Sequence, residues 1–133
     1  MPPRPLSAAT LTLCAVLCAC TGGGEQADRP TIALASATPG TFSSSRPGTP
    51  IPLETIKTMS DQQVLSTFGR PVFERAEGPS AKLVRFRSDA CDLDVFLYAS
   101  GGGWQARHAE ARDPALRSLP VDRCAGSVAA QRR

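Results

Sequence analysis

The chain has 133 residues and a formal net charge of +3, from 15 Lys and Arg against 12 Asp and Glu. That length holds one domain, with room for a leader and a tether. Thirteen of the basic residues are Arg, and they are scattered without a run of five, so the sequence does not show the basic stripe of a nucleic-acid-binding surface.

The chain opens with "MPPRPLSAATLTLCAVLCAC". One positive charge, Arg4, precedes a mostly apolar run from Leu6 to Cys18 of about thirteen residues. A spanning helix needs about twenty, so the run fits the hydrophobic region of a secretory signal. Its closing tetrad, Leu17-Cys18-Ala19-Cys20, resembles the bacterial lipobox, with Leu three places before cleavage, a small residue just before it and the lipid-accepting Cys just after. Cys14 and Cys18 each follow a Leu, whereas Cys20 follows Ala19. The resemblance implies that residues 1–19 are a lipoprotein signal peptide, that Cys14 and Cys18 leave with it, and that Cys20 becomes the acylated N-terminus. Each buried CH₂ contributes about 0.8 kcal/mol, so several acyl chains hold firmly where one does not. Thr21, where an Asp signals inner-membrane retention in many bacteria, implies an outer-membrane destination. The absence of Asn and the scarcity of Lys suit a GC-rich bacterial coding sequence.

From Thr21 to Pro50, eighteen of thirty residues are Gly, Pro, Ser or Thr, and no hydrophobic period is sustained. Such a composition does not offset the entropy of ordering. Residues 20–50 are therefore expected to form a flexible tether with an end-to-end distance of roughly 30 Å. The glycines of "TGGG" lack the preceding strand and following helix of a phosphate-binding loop.

The folded domain is expected over residues 51–133. In "TMSDQQVLSTFGRP", Ser60 and Gln63 have the spacing of a capping box. Val64, Leu65 and Phe68 share a helical face with Ile56 and Met59 leading in, Gly69 suits the position after the helix, and Pro71 blocks its continuation. Strands follow at 72–76, 82–87, 91–98 and from Trp104 to Arg112. In the third, Cys91, Leu93, Val95 and Leu97 share one side, and Asp92, Asp94, Phe96 and Tyr98 the other. This period-two pattern marks antiparallel strands with one face on a core. If Ser88 to Cys91 form the turn, Arg87 meets Asp92, Arg85 meets Asp94 and Leu83 meets Phe96 on one face, while Phe86 meets Leu93 and Val84 meets Val95 on the other. The charges then neutralise one another across the strands, a better reading of Asp92 and Asp94 than a cation site, which needs more oxygens. The last strand alternates poorly and suits a charged edge. "ASGGGW" is a turn. Asp122 is positioned to cap a short C-terminal helix, with Arg132 and Arg133 at its favourable end. Gly126 argues against that helix.

With the leader removed and Cys20 acylated, Cys91 and Cys124 remain, and in an oxidising envelope they read as one disulfide. Closing a loop of about thirty-four residues is worth roughly 3–4 kcal/mol on the chain-entropy model. The expected fold is α+β: a short N-terminal helix on a three- to four-stranded antiparallel meander, with a short C-terminal helix tied by the disulfide.

The order of Met59-Ser60 with Val64, Gly69-Arg70-Pro71, Phe86, the strand Leu93 to Tyr98 and the glycine turn Gly101 to Gly103 resembles the SmpA/OmlA (BamE-like) family of small outer-membrane lipoproteins. The resemblance covers about Ile51 to Arg112. It implies a non-catalytic, lipid-anchored accessory protein of the cell envelope that binds another envelope protein or supports outer-membrane assembly. The same fold occurs in secreted inhibitors, so a tethered inhibitor or ligand-binding module is the alternative.

The residues offer no nucleophile–base arrangement. His108, the one histidine, reads as a surface residue beside Glu110, and the chain is expected to have no enzymatic activity, cofactor, metal or small-molecule substrate. The expected partner-binding residues are Leu83, Phe96 and Tyr98 on the outer face of the sheet, and Trp104 beside the glycine turn. The expected attachments are to the membrane through Cys20 and to an envelope or outer-membrane protein.

Overall fold

The computed structural model describes residues 38–132. The expected signal peptide, Cys20, the expected tether as far as residue 37, and Arg133 lie outside the described residues. Seven elements follow one another: α1 (Leu53–Ile56), α2 (Asp61–Phe68), β1 (Phe73–Ala76), β2 (Ala81–Arg87), β3 (Asp92–Ser100), β4 (Gly103–Arg112) and α3 (Val121–Gln131). The strands form one antiparallel sheet in the order β1-β2-β3-β4. The fold is α+β, as its alternating strands and capped helix predict.

At α2 the Ser60 hydroxyl accepts from the Gln63 amide at 3.3 Å, and the Gln63 side chain accepts from the Ser60 amide at 2.8 Å, which satisfies two of the helix's orphan donors. Gly69 ends the helix with φ 83°, a conformation that costs other residues a Cβ clash. Val64 and Phe68 face the core, but Leu65, expected beside them, is 43% exposed. Leu65 is turned about 100° around the helix axis from Val64, whereas Phe68 is turned only about 40°, so Phe68 shares the inward direction and Leu65 does not.

The core lies between the helices and one face of the sheet. Val84, Phe86, Leu93, Val95 and Leu97 supply the sheet side, and Ile56, Val64, Phe68, Cys124, Ala125 and Val128 the helical side. The rings of Phe68 and Phe86 meet at 5.4 Å between centroids. On β4 the inward positions are Ala106, Ala109 and Ala111, small enough to let helices cross close to the strand. The β2–β3 register pairs Arg87 with Asp92, Arg85 with Asp94, Leu83 with Phe96, Val84 with Val95 and Phe86 with Leu93, as the charge pattern predicts.

The weak alternation of β4 has a local cause. His108 pairs with Phe96 but Ala106 pairs with Leu97, so Arg107 is an extra residue opposite the Phe96/Leu97 step. This bulge inverts the facing of everything before it.

Helix α3 forms despite Gly126, and its start differs from expectation. Pro120 occupies the N-cap position without a side-chain hydrogen bond, and Asp122 lies inside the first turn. The disulfide between Cys91 and Cys124 spans 6.0 Å between Cα atoms and ties the β2–β3 turn to this helix.

Composition places residues 38–50 in the tether, and the structure places them on the domain instead. Gly40 donates its amide to the Ser118 carbonyl at 2.9 Å, Ile51 donates to Asp122 at 3.0 Å, and Phe42 packs against the core. The Ser44 hydroxyl lies 2.7 Å from an Asp89 oxygen and 2.8 Å from the Ser127 hydroxyl. Gly48 and Gly126 explain each other. A Cβ on Gly126 would stand 2.5 Å from the Thr49 carbonyl oxygen, and one on Gly48 would collide with the carbonyl oxygen of Gly126. The helix carries a glycine because another backbone crosses it there. Apart from Phe42, the contacts that fix this segment are polar and backbone ones, so hydropathy does not reveal it.

Candidate functional site: the open face of the sheet

One sheet face is covered by helices, and the other carries Leu83, Arg85 and Arg87 of β2 against Asp92, Asp94, Phe96 and Tyr98 of β3. β4 adds His108, Glu110 and Arg112, and β1 adds Phe73 and Arg75. Alternation puts these side chains together because their neighbours in sequence are committed to the core.

Asp94 sits at the centre and is 1% exposed. Arg85 grips it in bidentate fashion, Nε at 2.5 Å and Nη2 at 2.8 Å, and Arg112 adds Nη2 at 2.7 Å from the far side. Burial pushes the Asp94 carboxyl up, but the hydrogen bonds and charges of Arg85 and Arg112 outweigh it and hold the group below the usual carboxylate range. The hydrogen bond to Asp94 in turn raises Arg85, against its own desolvation. Arg87 and Asp92 form a second bidentate pair at 2.6 and 3.0 Å. With 60% of the Arg87 side chain exposed, this pair adds little stability. Both carboxylates are thus engaged by guanidinium groups, and among the described residues no cluster of His, Cys, Asp and Glu is arranged to hold a metal.

Beside this ladder lies an apolar strip. Tyr98 and Phe73 are each 43% exposed, and Phe96 is half-buried with its ring 5.6 Å from that of His108. Leu83, expected as a surface contact, is 6% exposed. It lies on the same face between its cross-strand neighbours Phe96 and Arg75, covered by what surrounds it instead of meeting solvent. Phe73 is not among the expected contacts; the structure pairs it with Arg85, its ring 5.8 Å from that guanidinium, and the sequence offers no register for this short strand that would have placed it there. His108 is on the surface with Nε2 at 3.3 Å from Glu110 Oε1.

Trp104 is not part of this face. Because of the bulge at Arg107, its ring packs against the core on the helical side, half-buried, with Lys82 Nζ 5.2 Å from the centroid. Sequence parity groups Trp104 with His108 and Glu110, and one inserted residue separates them. The expected contact set thus divides into an exposed Tyr98, a half-buried Phe96, a buried Leu83 on the same face and Trp104 on the opposite side.

Comparisons with protein-family models, with curated proteins and with solved structures return no match. Among the described residues no helix is long and apolar enough to cross a membrane.

Proposed function

We propose that this chain is a non-catalytic accessory protein of the bacterial cell envelope, attached through an acylated Cys20 and binding another envelope or outer-membrane protein. The observation that carries the binding role is the open sheet face. There Phe73, Phe96 and Tyr98 stand in or near solvent beside an ion-pair ladder in which Arg85, Arg87 and Arg112 are matched by Asp92, Asp94 and Glu110. Aromatic side chains on rigid strands lose little conformational entropy when covered, and such side chains dominate interface energetics. The matched ladder presents little net charge to a partner and fixes the strip's shape. The lipobox-like tetrad and the resemblance to the SmpA/OmlA family support the anchor and the envelope setting.

The test is photo-cross-linking in intact cells from a probe at Tyr98, with a probe at Glu54 on the helical side as control. The reading predicts a specific adduct from Tyr98 that is lost in a Phe73→Ser/Phe96→Ser variant. Equal labelling from both positions rejects it. Metabolic palmitate labelling of the wild type but not of Cys20→Ser tests the anchor. A soluble hydrolase as the trapped partner would favour the tethered inhibitor.

A further inference from the structure

At one end of the helix layer a cleft of about 680 Å³ opens between residues 45–46, the turn after α2, the β2–β3 turn and the end of α3. Its charged lining is unbalanced: Arg46, Arg70, Arg87 and Arg132 against the single acid Asp89. Asp89 does not pair with any of them. Its oxygens are taken by the Ser44 and Ser45 hydroxyls at 2.7 and 2.5 Å, the Ser45 amide at 2.8 Å and the Gln131 amide at 2.7 Å. Among the described residues Arg46, Arg70 and Arg132 form no ion pair. Arg132 is positioned by one bond, Nη1 to the Ser66 carbonyl at 3.0 Å, which leaves its remaining donors free. Arg87 is oriented by Asp92.

Arg46, Arg70 and Arg132 bring three guanidinium charges without an ion-pair partner to one cleft beside Arg87, whose charge Asp92 balances; their repulsion costs stability, and no packing role offsets that cost, since all are exposed. An anion relieves it. Each guanidinium offers five N–H donors in a planar fork, more than one carboxylate can accept from several arginines. Phosphate presents three oxygens in the bidentate geometry that arginine matches best. The volume lies in the range of small-ligand sites, and the exposed Val72 gives one wall an apolar edge.

We propose that this cleft is a binding site for a phosphate group, whether of a soluble phosphate compound or of an anionic phospholipid headgroup. It shares Arg87 with the ion-pair ladder but none of Phe73, Phe96 or Tyr98, and the substitutions that test it leave all four residues in place. Two probes separate the sources: inorganic pyrophosphate in solution, and vesicles of phosphatidylglycerol in phosphatidylcholine. Both are applied at low ionic strength to the oxidised full chain carrying Cys20→Ser. The cleft variant is Arg46→Gln/Arg70→Gln. The control is Arg107→Gln/Arg123→Gln, which removes the same charge from exposed positions outside the cleft. All four side chains are exposed, and unchanged thermal melts verify that both variants fold. At least a tenfold loss of affinity in the cleft variant, with little change in the control, is expected for one probe or both. Loss for pyrophosphate alone identifies a soluble phosphate compound, and loss for the vesicles identifies a headgroup. The proposal fails if neither probe binds saturably, or if the control weakens binding as much as the cleft variant does.

Discussion

On its helical side the sheet presents Val84, Phe86, Leu93, Val95 and Leu97, none more than 3% exposed. On its other side it presents Arg85, Arg87, Asp92, Asp94 and Arg112, with aromatic side chains at the margins. The helical side gains its stability by removing apolar area from water, a non-directional effect that tolerates small shifts. The open side depends on geometry, since a charge as buried as Asp94 is tolerated only while its guanidinium partners stay in place. The faces therefore divide the labour: one determines whether the chain folds, and the other holds a surface of defined shape and little net charge.

The largest expected effect is on the helical side. Phe86→Ala removes a fully buried ring in contact with Phe68 and should cost about 3–5 kcal/mol, read from denaturant unfolding. Next, replacing both Cys91 and Cys124 with Ala frees α3 from the β2–β3 turn and should cost roughly 3–4 kcal/mol. Reducing agent should then leave the variant's midpoint unchanged while lowering that of the wild type.

On the open face, Asp94→Asn should cost about 1–3 kcal/mol, less than Phe86→Ala because Arg85 and Arg112 can turn toward water. A cost as large as that of the core variant would show that the ladder, and not the core, governs folding. The same variant alters the acid response. Asp94 has a lowered native pKa, so its contribution is complete above about pH 4 and is lost as pH falls through the native value. Wild-type stability should decline on acidification, and the Asp94→Asn variant should decline less steeply. It should not become flat, because Asp113 and Asp89 are also shifted down, Asp113 chiefly by the Arg117 amide and Asp89 chiefly by Gln131. The smallest effect on stability is expected for Tyr98→Ser, within about 0.5 kcal/mol, together with loss of the partner recovered from cells. A stability loss near that of Asp94→Asn would mean that Tyr98 belongs to the scaffold rather than to the contact surface.

The legibility of these faces in the sequence follows from what each kind of contact leaves behind. The β2–β3 register is readable because both parities carry information: apolar residues on one and complementary charges on the other. Helix α2 is readable because Ser60, Gln63 and Gly69 mark its ends chemically. The bulge at Arg107 leaves no such mark, and it carries Trp104 to the opposite side from the place that parity implies. The Asp94 cluster is half legible, with Arg85 predictable from the hairpin and Arg112 contributed by a strand whose register the bulge obscures. The seating of residues 38–50 is invisible to periodicity, since one isolated aromatic, Phe42, joins serine hydroxyls, a backbone bond and the Gly48–Gly126 crossing in accomplishing it. The arginine-lined cleft gathers residues 46, 70, 87 and 132 from four separate segments, and scattered arginines read as ordinary surface until the fold assembles them.

The seam formed by Gly40, Ser44 and Gly48 along the domain also has a mechanical consequence. A chain pulled from its N-terminal side loads the Gly40–Ser118 bond first, then the Ser44–Asp89 and Gly48–Gly126 contacts, one after another. Contacts loaded in sequence peel at far lower force than strands sheared together. The thirteen residues from 40 to 52, reaching roughly 45 Å when extended, would unspool before the pull reached α1. Under such a pull the segment would come away before the sheet and its disulfide bear load.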